Sequence, residues 1–241
     1  MLSSQRKQIF YIHGGDSFLN NDDFIERLKT RPLWHMEQKG SGEVSKKWTA
    51  SLAEDLGDNY EVIMPPMPNR ENARFEEWSI WFERHFEYLN EGFILIGCSL
   101  GAMFLAKYLT LKKLPVTPRA LILMAGAYEL DGFADKDCGD FLIKPEEVSL
   151  EGLREIIIMH SKDDFLVPFE HGEALSRALP QAEFITFEDK NHFLIPEFPE
   201  LISKIRSFLC CFSKIMVGAK RRPYLPVENY ERLRHFHRLR V

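Results

Sequence analysis

Four short runs constrain this chain more than any other feature: IFYI at 9–12, FILI at 93–96, LILM at 121–124 and IIIM at 156–159. Each is apolar at consecutive positions. A strand with one wet face would alternate apolar and polar residues, whereas a strand covered on both faces has no reason to. The runs fall within predicted strands at 8–13, 60–64, 93–97, 120–125, 155–160 and 183–187.

Helical patterns fill the gaps. Residues 46–56 carry Trp48, Leu52 and Leu56 at fourfold spacing, and residues 74–89 carry Phe75, Trp78, Phe82 and Phe86 at spacings of three and four. Helices are also expected at 100–111, 168–179 and 196–209, with Pro168 in a first turn, where its missing N–H is harmless. Strand–helix alternation with right-handed crossovers gives an α/β fold: a doubly wound, mainly parallel six-stranded sheet with helices on both faces. At 241 residues, 45% of them hydrophobic, the chain suits one domain with a sizeable core.

That domain is expected over residues 1–209, with insertions at 16–45 and 127–151. Both insertions follow strand C-terminal ends, where open α/β sheets bind ligands. The second contains Gly132, Phe133, Gly139 and Phe141 and reads as a short cap. Residues 210–241 read as a basic extension, loosely ordered rather than an interaction segment.

Charge supports that division. Eight Lys/Arg and two Asp/Glu lie from Phe212 onward, and the residues before it hold 23 basic and 34 acidic side chains. An acidic body argues against nucleic-acid binding. Cys98, Cys138, Cys210 and Cys211 show neither CxxC spacing nor a disulfide framework, so no metal site is read there. Asp16, Asp22 and Asp23 lack calcium-loop spacing and read as loop or helix-start acids. The first residues lack a signal-peptide pattern and no apolar run is long enough to span a membrane, so a soluble, cytoplasmic protein is expected.

The chemistry is carried by GCSLG at 97–101. This G-x-S-x-G sequence lies between a buried strand and an apolar helix, the context a nucleophile elbow requires. A strand turning at once into a helix forces the middle residue into strain, and small residues must flank it. Ser99 is then lifted clear of the sheet, and the Leu100 N–H faces the position of an oxyanion. The plain alternative is a tight turn with an idle serine. Cys98 reads as a space-filler beneath the elbow.

A nucleophilic serine needs a base, and the base needs an orienting acid. After IIIMH comes SKDDFLVP, where the D-x-x-V-P spacing favours Asp164 over Asp163, which reads as a solvated or capping residue. After AEFITF comes EDKNHFLIP, which places His192 in a loop. Its alternative is a loop histidine packed on Phe193. His171 falls within a predicted helix and reads as a surface residue. The chain order serine, acid, histidine is the one this type of sheet uses. The first strand ends in His13-Gly14-Gly15, where glycines permit close approach to a substrate carbonyl. Gly15 is the expected second oxyanion donor, His13 a loop organiser, and Gly14 and Trp34 candidate pocket residues.

Together these features resemble the α/β-hydrolase superfamily. Within it, the chain is similar to the small serine hydrolases related to retinoblastoma-binding protein nine. The likeness rests on HGG at 13–15, the P-x-M-P turn at 65–68, Trp78 and Trp81, GCSLG at 97–101, DDFLVP at 163–168 and NHF at 191–193. It covers residues 7–209. Two departures are Cys98, where histidine is common in that group, and a longer stretch at 31–45. The L-x-C-x-E motif behind that family's pocket-protein partner is absent, so the partner is not carried over.

The resemblance implies a cofactor-free serine hydrolase acting on a small acyl substrate, a carboxylic ester first. An amidase, peptidase or thioesterase would share the mechanism, and a non-catalytic binding protein could share the fold. A haloalkane dehalogenase is disfavoured, since its elbow would carry aspartate at position 99. Oligomeric state is not legible.

Overall fold

Each strand residue meets a different apolar layer from its neighbour, which is why the runs do not alternate. The computed structural model describes residues 6–31, 47–130 and 138–208. The strands are β1 (Lys7–Ile12), β2 (Tyr60–Ile63), β3 (Ile94–Cys98), β4 (Ala120–Met124), β5 (Ile156–Ser161) and β6 (Glu183–Phe187). They form one sheet in the order β2-β1-β3-β4-β5-β6, and every pairing is parallel. The helices are α1 (Asn21–Thr30), α2 (Trp48–Leu56), α3 (Phe75–Glu83), α4 (Leu100–Leu111), α5 (Glu170–Ala178) and α6 (Pro199–Ser207).

On one face, Phe10, Leu95, Leu121 and Ile158 pack with α3, α4 and α5 through Trp78, Phe82, Phe104 and Leu175. On the other, Ile9, Ile96, Ile122 and Met159 pack with α2 and α6 through Trp48, Leu52, Leu201 and Ile205. The first face is richer in aromatics. Phe82 meets Phe10, Phe104 and Tyr108 at centroid distances of 5.4, 5.6 and 5.2 Å.

Several elements depart from the sequence expectation; the helix expected over 196–209 opens at Pro199 rather than Pro196, with Pro199 in its first turn, and ends at Ser207. The helix expected over 74–89 ends at Glu83 and gives way to a 3-10 turn at Phe86–Tyr88. His85 Nδ1 bonds the Trp81 carbonyl at 2.8 Å, the group its own backbone N–H would use in an α-helix. That N–H bonds Phe82 O instead, which tightens the turn. Pro168 precedes α5 rather than opening it: its carbonyl accepts the His171 N–H in a tighter i→i+3 turn at 3.1 Å, and the regular ladder begins from Phe169. α1 lies inside the first insertion; Asn20 caps it by accepting the Asp23 N–H, with Asp22 and Asp23 in its first turn.

In the second insertion, Phe141 is fully buried and meets Trp78 edge-on at 5.1 Å, and the Asp140 carboxylate accepts the Phe75 N–H. The expectations for Trp34, for Gly132 and Phe133 of the cap, and for residues 210–241 lie outside the described residues. Among the described residues, no helix is long and apolar enough to cross a membrane.

Trp78 links these layers. It is fully buried, contacts Phe104, Phe141 and His13, and donates its indole N–H to Pro68 O at 2.8 Å. Trp78→Ala is expected to lower unfolding stability by about 3–5 kcal/mol, measured by urea denaturation. A loss under about 1 kcal/mol would contradict this packing.

Candidate active site

Ser99 is the single residue between β3 and α4, and its backbone sits at φ 56°, ψ −124°. A non-glycine residue there costs about 1–3 kcal/mol and persists only when its surroundings enforce it. Here they do. The Ser99 N–H bonds Met124 O on β4 at 2.8 Å, and its carbonyl accepts from Ala102 N at 2.9 Å. A methyl group at Gly97 would lie 2.5 Å from Gly101 O, and one at Gly101 would lie 2.3 Å from Ile12 O. Both glycines of the motif are therefore demanded by backbone contact.

The loop after β1 grazes the serine. A methyl at Gly14 would sit 2.9 Å from Ser99 Cβ and 3.3 Å from Oγ. His13 shapes this loop: its Nε2 accepts the Met67 N–H at 2.9 Å, so Nδ1 carries the proton and donates to Gly14 O at 2.7 Å. Burial lowers the His13 pKa, which favours this neutral form. In a trans peptide the Gly15 N–H points opposite to the Gly14 carbonyl. Gly15 itself rests on the Arg70 carbonyl, 2.4 Å from where a methyl would be.

Asp164 follows β5 and His192 follows β6, neighbouring strands in the sheet. His192 Nδ1 lies 2.8 Å from Asp164 Oδ2 and 3.0 Å from Oδ1. Both side chains are enclosed, at 6% and 0% exposure. Burial alone would raise the Asp164 pKa. The histidine N–H groups of His160 and His192, the His192 charge and the Val167 N–H outweigh it and hold the carboxyl well below its ordinary range. His192 stands between two residues of positive φ, Asn191 at 42° and Phe193 at 53°. The Trp48 indole N–H holds the Phe193 carbonyl at 3.0 Å, which fixes the loop from behind. Among the described residues, no hydrogen bond joins Ser99 Oγ to His192. Such contacts are often long without substrate and tighten in the complex.

Several supports escaped sequence reading. Asp163 is not merely solvated: its Oδ1 accepts from Ser161 Oγ at 2.5 Å and from Asn191 N at 2.8 Å. Ser161 Oγ in turn accepts the Lys190 N–H at 2.9 Å. The acid and histidine loops are thereby laced together. Ser161, a hydroxyl ending an otherwise apolar strand, was the one signal of this in the sequence.

His171 is a correction. It is 1% exposed rather than on the surface, because the α5 face bearing it packs inward, and its Nδ1 accepts the Tyr128 N–H at 3.0 Å. Cys98 is buried beside Tyr11, and burial pushes its thiol pKa up to about 12, so it is a packing group rather than a nucleophile. A surface cleft of about 650 Å³ lies between α2 and α6, and its lining includes none of Ser99, Asp164 or His192.

The Asp164 shift has a defined pH signature. Its folded pKa lies below the ordinary value of about 4, so its stabilisation is present above that pH and is lost as pH falls toward the folded value. In urea denaturation, the stability difference between wild type and Asp164→Asn is expected to hold at pH 6–7 and to shrink below pH ~4. A difference that grows on acidification would contradict the assignment.

The family model for serine hydrolases matches residues 38–198, more than half of the chain. Among solved structures, the ydeN gene product from B. subtilis shares 21% identity at a TM-score of 0.64, covering 85% of this chain and 99% of that one. Est1E from Butyrivibrio proteoclasticus shares 13% identity at a TM-score of 0.53, covering 86% of this chain and 88% of that one. A meta-cleavage product hydrolase from Pseudomonas fluorescens shares 13% identity at 0.56, covering 85% and 90%. These likenesses speak for the fold, and the family model for the membership: the chain belongs to the serine hydrolase family and is a serine hydrolase of the α/β-hydrolase fold.

Proposed function

We propose that the protein cleaves small carboxylic esters, with Ser99 as nucleophile, His192 as general base and acid, and Asp164 as the group that holds the imidazole. The observation that carries this reading is the buried Asp164–His192 pair. A carboxylate on Nδ1 keeps the proton there and leaves Nε2 as the acceptor.

In this reading His192 Nε2 takes the Ser99 proton as Oγ attacks the ester carbonyl. The N–H groups of Leu100 and Gly15 receive the oxyanion. His192 returns its proton to the departing alcohol, leaving an acyl group on Ser99. Water then attacks with the same base, and the carboxylic acid departs. The start of α4 favours this, because the bonds to the Ser99 carbonyl come from Ala102 and Met103, and the Leu100 N–H lies ahead of that ladder at the positive end of the helix. No cofactor enters any step.

An apolar substrate portion is favoured by exposed Phe165 and Leu166 beside Asp164 and by Leu194 beside His192. Thioesters and amides would follow the same steps and differ in leaving group.

The test is turnover of a p-nitrophenyl ester series, compared with thioesters and anilides. Ser99→Ala and His192→Gln are each expected to lower kcat by about 10⁴-fold or more while the protein remains folded. Wild-type turnover by Ser99→Ala would overturn the reading. No turnover of any acyl substrate by folded wild type would move a binding role to the front.

A further inference from the structure

His160 is a buried titratable group that the reaction above leaves unused. It sits on β5, four residues before Asp164, and is 1% exposed. Its Nε2 lies 2.9 Å from the Val167 carbonyl and 3.4 Å from Asp164 Oδ2. A carbonyl only accepts, so Nε2 carries a proton whatever the charge of the ring. The 2.9 Å contact is an ordinary hydrogen bond. The 3.4 Å contact places the same ring edge against a carboxylate whose side chain is enclosed, close enough for electrostatic attraction.

The opposite edge of the ring has no room to retreat. α5 passes behind it at Gly172, where a methyl would lie 2.7 Å from His160 Nδ1. Phe169 meets the ring edge-on at 5.8 Å. Thr186 on β6 is its partner in the sheet. The ring is therefore wedged inside the turn formed by residues 164–167. That same turn supplies the Leu166 and Val167 N–H groups that grip Asp164 Oδ1.

Asp164 thus has both oxygens committed. Oδ1 takes the two backbone N–H groups. Oδ2 lies between His192 Nδ1 at 2.8 Å and His160 Nε2 at 3.4 Å. One carboxylate lies between two histidines, His192 on the loop after β6 and His160 within β5.

We propose that His160 is a positioning residue for the hydrolytic reaction. Its Nε2–H, bonded to the Val167 carbonyl and set 3.4 Å from Asp164 Oδ2, fixes the plane of the carboxylate and so the aim of His192 Nε2 at Ser99. It acts directly on Oδ2 and also through Val167, whose N–H holds Oδ1. The proposal rests on the Ser99–His192–Asp164 reading above. It explains why a polar ring ends an apolar strand and why α5 has glycine where it crosses that ring. Misplacement of a reacting group by about 1 Å can reduce rate about 10²-fold, which sets the expected scale.

The test uses the full chain with His160→Leu, His160→Gln and Ser99→Ala, each checked for folding by thermal melting. Two quantities are read: kcat and KM on an ester that wild type hydrolyses, and the rate of labelling by a fluorophosphonate. Folded His160→Leu is expected to lose about 10- to 100-fold in kcat with KM within about two-fold, and to label more slowly by a similar factor. His160→Gln, which retains an N–H donor of similar reach, is expected to recover most of the rate. Wild-type kcat in His160→Leu would overturn the proposal. A His160→Gln variant as slow as His160→Leu would overturn it too, because shape rather than the donor would then be what matters.

If His160→Leu does not fold, Gly172→Ala displaces the same ring from behind, and unchanged kcat in that variant overturns the proposal. Failure of the underlying reading is separately visible, since Ser99→Ala would then keep turning over substrate.

Discussion

The structure turns on a single backbone joint. β3 must become α4 within one residue, and Ser99 makes that turn at φ 56°. Nothing in a serine favours this conformation. It is enforced by its N–H on the Met124 carbonyl, and by Gly101 letting α4 close on the Ile12 carbonyl at the end of β1. The pairing of β1, β3 and β4 and the seating of α4 are therefore coupled to the exposure of one hydroxyl. Once the joint is made, the loop after β1 passes Ser99 at Gly14. The loops after β5 and β6 emerge at the same edge of the parallel sheet.

Those two loops solve a different problem, that of keeping a carboxylate charged out of water. Asp164 is enclosed, and burial would neutralise it unless donors surround it. Two backbone N–H groups and two histidines do so. The lacing of Ser161 and Asp163 to Lys190 and Asn191 holds the neighbouring loop in register. The Trp48 indole reaches 145 positions along the chain to brace the Phe193 carbonyl from the opposite face. The pair is thus preorganised by contacts from β5, β6 and α2, which suits a reaction whose barrier depends on aim.

How much of this was legible depended on the range of the interaction. The four inner strands were readable because burial on both faces leaves consecutive apolar residues in the sequence, and the edge strands β2 and β6, only partly buried, followed from their places in the strand–helix alternation. Ser99, Gly97 and Gly101 were readable because the turn they make is local. Asp164 and His192 followed from chain order and from their places after strands. His160 was not readable: a histidine at a strand end gives no sign of the turn that later wraps it. His171 was misread for the same reason, since its partner is a backbone N–H at Tyr128, 43 positions away. The early end of α3 lay in a competition between the His85 ring and its own N–H for one carbonyl, which apolar periodicity cannot register. α1 left only its Asn-Asp-Asp start as a trace.

The central claim is that Ser99 attacks, with its oxyanion received between α4 and the loop after β1. A crystal structure of the protein after reaction with a fluorophosphonate tests it most directly. The account predicts phosphorus bonded to Ser99 Oγ, with the phosphoryl oxygen about 3 Å from the N–H groups of both Leu100 and Gly15. An adduct on another side chain, or a phosphoryl oxygen turned away from those two N–H groups, would contradict it.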